Sequence, residues 1–124
     1  MRDKKKIKRR LLERRKKRVR KKVRGNSLRP RLTVYKSLNH IYAQVVNDEE
    51  QKTLFGASSL TPELKKSLNE KETKIEISKK VGLFLAKLAK ERGVIKVIFD
   101  RNRYRYHGRV RSLAEGAREG GLEF

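Results

Sequence analysis

Between Val97 and Val110 the chain reads Val97-Ile98-Phe99-Asp100-Arg101-Asn102-Arg103-Tyr104-Arg105-Tyr106-His107-Gly108-Arg109-Val110. An apolar strand runs into a loop in which arginine alternates with aromatic residues, and a helical pattern starts at Gly108. Each residue type suits one part of a nucleic acid. The guanidinium of Arg101, Arg103, Arg105 or Arg109 offers a charged fork to phosphate and a flat face to a base. The rings of Tyr104, Tyr106 and His107 can stack on unpaired bases. A helix N-terminus presents backbone N–H groups to an anion. Packing is the plain alternative for the tyrosines, and alternation allows one to face inward while its neighbours face a ligand.

Catalytic chemistry finds little support. A two-metal nuclease needs several carboxylates converging on one point. Here the acids fall mainly in turns and on expected helix surfaces. Asp100 alone stands at a strand end in the basic loop, where one carboxylate among arginines serves to orient them. The two histidines, His40 and His107, are far apart in sequence, and no glycine-rich phosphate loop or paired-histidine helix motif occurs. No metal and no cofactor is expected.

The charge agrees with a polyanionic partner. The 124 residues carry 36 Lys+Arg against 14 Asp+Glu, a net of +22, which repels itself unless neutralised. A membrane surface is the other polyanion, but no long apolar run, signal peptide or lipidation motif is present. With no cysteine, disulfides and thiolate metal sites are excluded, which fits a cytosolic protein. Residues 1–24 hold 16 of the basic residues and only two acids, Asp3 and Glu13. Ile7 to Leu11 and Val19 to Val23 repeat at i, i+4, so a helix is sterically easy, while like charges three and four apart oppose it. The expectation is an arm that is disordered when free and partly helical once phosphates neutralise it. The plain alternative is a solvated tail that only aids solubility. Gly25-Asn26-Ser27 reads as a hinge, and residues 25–124 as one globular domain.

Three strands must present the loop. Arg31 to Lys36 alternates, with Leu32 and Val34 on one face and Thr33 and Tyr35 on the other. Ser37-Leu38-Asn39 turns the chain into His40 to Val46, with Ile41, Ala43 and Val45 on one face and Tyr42, Gln44 and Val46 on the other. Lys52 to Ser58 is the third strand. One face must be covered. The other, with Thr33, Tyr35, Tyr42 and Gln44, is polar and aromatic enough to touch RNA. Thr61-Pro62-Glu63-Leu64 can open a short helix. From Lys74 to Arg92 a stripe of Ile77, Val81, Phe84, Leu85 and Leu88 has helical period, with Gly82 marking a close contact with the sheet and Gly93 the stop. Val94 to Phe99 reads as a fourth strand buried on both faces. The last helix, from Gly108 or Arg109 to Glu119, carries Val110, Leu113, Ala114 and Ala117. Leu122 and Phe124 can fold back on the core. The fold class is α/β, mixed: a four-stranded mixed sheet packed with helices. No zinc finger, basic zipper or clear helix-turn-helix is visible, so an irregular, structured RNA fits better than duplex DNA.

Several stretches resemble a known family. Arg29-Pro30-Arg31-Leu32-Thr33-Val34-Tyr35-Lys36-Ser37 and His40-Ile41-Tyr42-Ala43-Gln44-Val45 are similar to the first strand pair of the bacterial large-subunit ribosomal protein eighteen (uL18) family. Phe99-Asp100-Arg101, Tyr104-Arg105-Tyr106-His107-Gly108-Arg109-Val110 and the ending Ala117-Arg118-Glu119-Gly120-Gly121-Leu122-Glu123-Phe124 match its other signatures, and a basic N-terminal arm is typical of it. Asn102-Arg103 departs from the pattern, where small residues, often glycines, are expected. The resemblance implies a ribonuclease-H-like motif without catalytic acids, and a non-enzymatic cytoplasmic scaffold in the large ribosomal subunit. It implies binding to 5S rRNA, attachment of that RNA to 23S rRNA in the central protuberance, and other 5S-binding ribosomal proteins as neighbours. No membrane or small-molecule substrate is expected, and the protein is expected to be monomeric within the ribosome. Taken with the residue reading, the expected RNA surface is the hairpin (Tyr35, Lys36, Ser37, Asn39, His40, Tyr42, Gln44) and the loop (Arg101, Arg103, Tyr104, Arg105, Tyr106, His107, Arg109). The arm (Arg9, Arg10, Arg14, Arg15, Lys16, Arg18, Arg20, Lys21, Arg24) and Arg29 and Arg31 supply further cations.

Overall fold

A computed structural model describes residues 8–14, 25–69 and 71–124. Residues 8–14 are helical (α1). The domain then runs β1 (Arg31–Lys36), β2 (Ile41–Asn47), β3 (Lys52–Ser58), α2 (Pro62–Lys65), α3 (Lys74–Glu91), β4 (Ile98–Asp100) and α4 (Gly108–Glu119).

The four strands form one mixed sheet in the order β3-β2-β1-β4. β1 and β2 are antiparallel, from Arg31 opposite Val46 to Lys36 opposite Ile41. β3 is antiparallel to β2, with an irregularity between Val45 and Val46. β4 is parallel to β1, with Thr33 opposite Asp100. This order is compatible with a ribonuclease-H-like motif. Because side chains alternate along a strand, Leu32, Val34, Ile41, Ala43 and Val45 share one face, and all are buried. α3 covers that face at β2 and β3, and α4 packs along α3. The other face carries no helix among the described residues.

α3 begins with a capping box. Glu76 N–H donates to the Thr73 hydroxyl, and Thr73 N–H donates to the Glu76 carboxylate, each at 3.2 Å. It stops at Gly93, whose φ of +76° suits glycine. Its buried residues are Ser78, Val81, Gly82, Leu85, Ala86 and Ala89. Ile77, Phe84 and Leu88 of the expected stripe are only partly buried, because α4 takes part of the helix surface that the stripe leaves to solvent.

Three expectations are corrected. Gly82 faces α4, not the sheet: a Cβ there would overlap the Leu113 carbonyl oxygen, and one on Gly116 would overlap that of Lys79. These two glycines let the helix backbones approach. Val94 to Phe99 is not a doubly buried strand. β4 is three residues long and lies at the sheet edge, with Val97 buried but Ile95 58% exposed. Among the described residues helices cover only one face, and the tail borders the β4 edge through Val97 N–H to the Glu123 carbonyl at 3.1 Å. Gly25 is a docked residue, not a free hinge. It is buried, and its N–H donates to the Asp48 carboxylate at 2.7 Å.

Candidate nucleic-acid interface

The uncovered sheet face holds an open groove of about 560 Å³ lined by Thr33, Tyr35, Ser37, Tyr42 and Gln44. Alternation puts these side chains on the side opposite the core. The Tyr35 and Tyr42 rings lie 5.9 Å apart, tilted by 44°. Tyr35 is half exposed, and Asn39 and Gln44 are exposed. His40, partly buried, sits with Nδ1 3.0 Å from the Ser59 hydroxyl at the end of the hairpin.

The loop between β4 and α4 is bound to the hairpin at three points. The Asn102 side-chain amide donates to the Val34 carbonyl at 3.2 Å. The Tyr104 hydroxyl meets both backbone groups of Lys36. Arg109 donates to the Ser37 carbonyl at 2.8 Å. Burial lowers the Arg109 pKa, with the nearby Tyr104 opposing the shift. Asn102 has φ +60°, a conformation that asparagine tolerates better than most residues. That is the physical reason small residues suit this position, and why asparagine can replace them.

The two loop tyrosines divide their roles. Tyr104 turns inward, with Lys36 Nζ 5.1 Å and the Arg103 guanidinium 5.5 Å from its ring centre. Tyr106 is 41% exposed; its ring meets Phe99 edge to face, Phe99 stacks in turn on Phe124, and the Tyr106 hydroxyl accepts from Arg118 at 3.4 Å. Arg101, Arg105 and His107 of the same loop are exposed. His107 does not cap α4 with its side chain, and the first turn of α4 holds no acid, so nothing there competes with an anion for the helix N-terminus.

Not every expected contact residue faces outward. Arg31 is 11% exposed and holds two carboxylates: Asp48 through Nε at 2.9 Å and Asp100 through Nη1 at 2.6 Å. Burial by itself lowers its pKa, yet the hydrogen bonds and charges of Asp48 and Asp100 outweigh that, and the net shift is upward. Arg29, Arg9, Arg10 and Arg14 are exposed. Arg15, Lys16, Arg18, Arg20, Lys21 and Arg24 lie outside the described residues. The residue reading passed over Lys74, whose Nζ donates to the Leu38 carbonyl at the hairpin tip at 2.6 Å. No local signal marks it, since the partners are 36 residues apart.

Asp100, the carboxylate a nuclease would need, is 1% exposed and tied to Arg31 and to the Asn102 N–H. Among the described residues no group of three or more His, Cys, Asp or Glu could hold a metal ion, and no helix is long and apolar enough to cross a membrane.

A polar-aromatic face beside a basic loop, on a strongly basic chain, is the surface of a protein suited to nucleic acid, and comparison with known proteins makes it a structural ribosomal protein, not an enzyme. The family described as "Ribosomal L18 of archaea, bacteria, mitoch. and chloroplast" matches residues 4–124, and the chain belongs to it. The large ribosomal subunit protein uL18 of Sorangium cellulosum is 57% identical over 112 residues, covering 90% of this chain and 93% of that protein. Its counterpart in Caldicellulosiruptor saccharolyticus is 56% identical, covering 87% and 86%, and that of Thermotoga petrophila 55%, covering 90% of each. The chain is thus a large-subunit protein of the cytoplasmic ribosome, and ribosomal RNA is the polyanion its charge meets.

Proposed function

We propose that the protein binds 5S rRNA and helps attach it to 23S rRNA in the central protuberance of the large subunit. Other 5S-binding ribosomal proteins are its neighbours there, and it acts as a monomer. The observation that carries this reading is the joining of loop to hairpin through Asn102, Tyr104 and Arg109. Two sequence-distant segments become one rigid surface, so the RNA does not have to order them on binding. The groove offers rings for unpaired bases and amide and hydroxyl groups for their edges. The adjoining loop adds charge from Arg101, Arg103, Arg105, His107 and Arg109 and a further ring from Tyr106. The arm, of which residues 8–14 are already helical, follows the RNA backbone and supplies most of the salt-dependent affinity. The domain supplies selectivity by shape and stacking.

The test is a competition titration near physiological salt. Labelled 5S rRNA is challenged with unlabelled 5S rRNA, an unrelated folded RNA of similar length, and duplex DNA. Effective competition by 5S rRNA alone is the expected result. Equal competition by all three would mean that charge alone drives binding.

A further inference from the structure

A buried ion cluster ties Gly25, at the start of the domain, to the loop after β4. Arg31 directs its fork both ways. Nε and Nη2 hold Asp48 at 2.9 and 3.0 Å, and Nη1 holds Asp100 at 2.6 Å. Each acid in turn fixes a backbone amide. Asp48 accepts from Gly25, where the basic arm joins the domain, at 2.7 Å. Asp100 accepts from Asn102, the left-handed residue that sets the course of the loop, at 2.8 Å. The three side chains are 20%, 11% and 1% exposed from Asp48 to Asp100. A buried charge that loses its partner is strongly disfavoured, so the three groups hold one another in place.

We infer that Arg31 is a positioning residue: the Asp48–Arg31–Asp100 relay holds the root of the basic arm and the Arg101–Arg109 loop in fixed relation for RNA binding. The planar fork is essential to this. A lysine ammonium is a single point charge and cannot hold one carboxylate with two parallel bonds while reaching a second.

Two measurements test the relay, and the first needs no RNA. Amide hydrogen exchange is followed in the full-length protein and its Asp48→Asn variant. Asn102, which bonds Asp100 and not Asp48, should exchange about tenfold faster, the size expected for one weakened hydrogen bond. In Asp100→Asn, Gly25 should respond in the same way. Unchanged exchange at the far amide in both variants would overturn the relay. If Asp100→Asn does not fold, Asp48→Asn, whose side chain is nearer solvent, decides alone.

The second measurement is affinity for 5S rRNA, and it rests on the function proposed above. Arg31→Lys keeps the charge. It loses the double hold on Asp48, and that loss of positioning should weaken binding about tenfold. Asp48→Asn adds one net positive charge. A plain field effect would tighten binding, whereas the relay predicts weaker binding. Unchanged affinity in Arg31→Lys, or tighter binding in Asp48→Asn, would overturn the positioning role. If the unaltered protein shows no preference for 5S rRNA, the functional reading fails while the exchange result still judges the relay.

Discussion

The Tyr104 hydroxyl engages both backbone groups of Lys36, accepting from its N–H at 3.0 Å and donating to its carbonyl at 3.3 Å. β4 ends at Asp100, opposite Thr33, so beyond that point this side of β1 has no neighbouring strand. One phenol thus takes the place of a missing ladder rung. It anchors the basic loop to the hairpin and withdraws Tyr104 from the surface.

Tyr104→Phe should keep the ring packing and lose both bonds. Leaving Lys36 unsatisfied costs about 1–3 kcal/mol. For a domain of this size that lowers Tm by about 4–8 °C per kcal/mol. Calorimetric unfolding checks it. An unchanged Tm would mean that solvent satisfies Lys36 as well as the phenol does.

Tyr106→Ala should act on binding instead. Its ring is partly exposed, and its contacts are one edge-to-face meeting with Phe99 and one long bond from Arg118 at 3.4 Å, so the domain should remain folded by circular dichroism. Loss of base stacking costs about 1–3 kcal/mol, at least a fivefold weaker Kd for 5S rRNA. Unchanged affinity would make Tyr106 a packing residue like its neighbour.

Deleting residues 1–24 removes 16 of the 36 basic residues. Each phosphate contact contributes roughly 0.7–0.9 to the slope of log affinity against log salt, so the slope should flatten by several units. The preference for 5S rRNA over unrelated RNA should persist, since the groove and loop are untouched. Titration across a salt series measures both. A truncated protein with the full slope would show that the arm does not contact phosphate.

Gly82→Ala tests the helix crossing. The added methyl would meet the Leu113 carbonyl, a backbone atom that cannot swing aside. Overpacking of this kind costs typically about 1–3 kcal/mol, and rigid backbone on both sides places it at the upper end. The Tm should fall by more than ten degrees, by about 4–8 °C for each kcal/mol. An exposed Lys87→Ala change on the same helix serves as the control and should leave Tm nearly unaltered.

Alternation was enough to place β1, β2 and β3 and to separate Leu32 and Val34 from Thr33 and Tyr35. A two-residue period is a local property that the chain shows wherever one sheet face is covered. Gly93 and the apolar stripe of α3 marked that helix for the same reason. The loop's composition pointed to RNA because guanidinium and aromatic groups bring their chemistry with them. Pairings between distant residues were not legible. Nothing near Arg31 announces that its fork will meet Asp48 and Asp100, 17 and 69 residues away, and so turn a candidate RNA contact into a buried strut. Nor does the sequence say which of Tyr104 and Tyr106 turns inward, since that depends on where β4 ends against β1. Gly82 signalled a close approach, but only the packing of α4 decided what approaches it. Local patterns record which side of an element is buried; what it is buried against depends on the path of the whole chain.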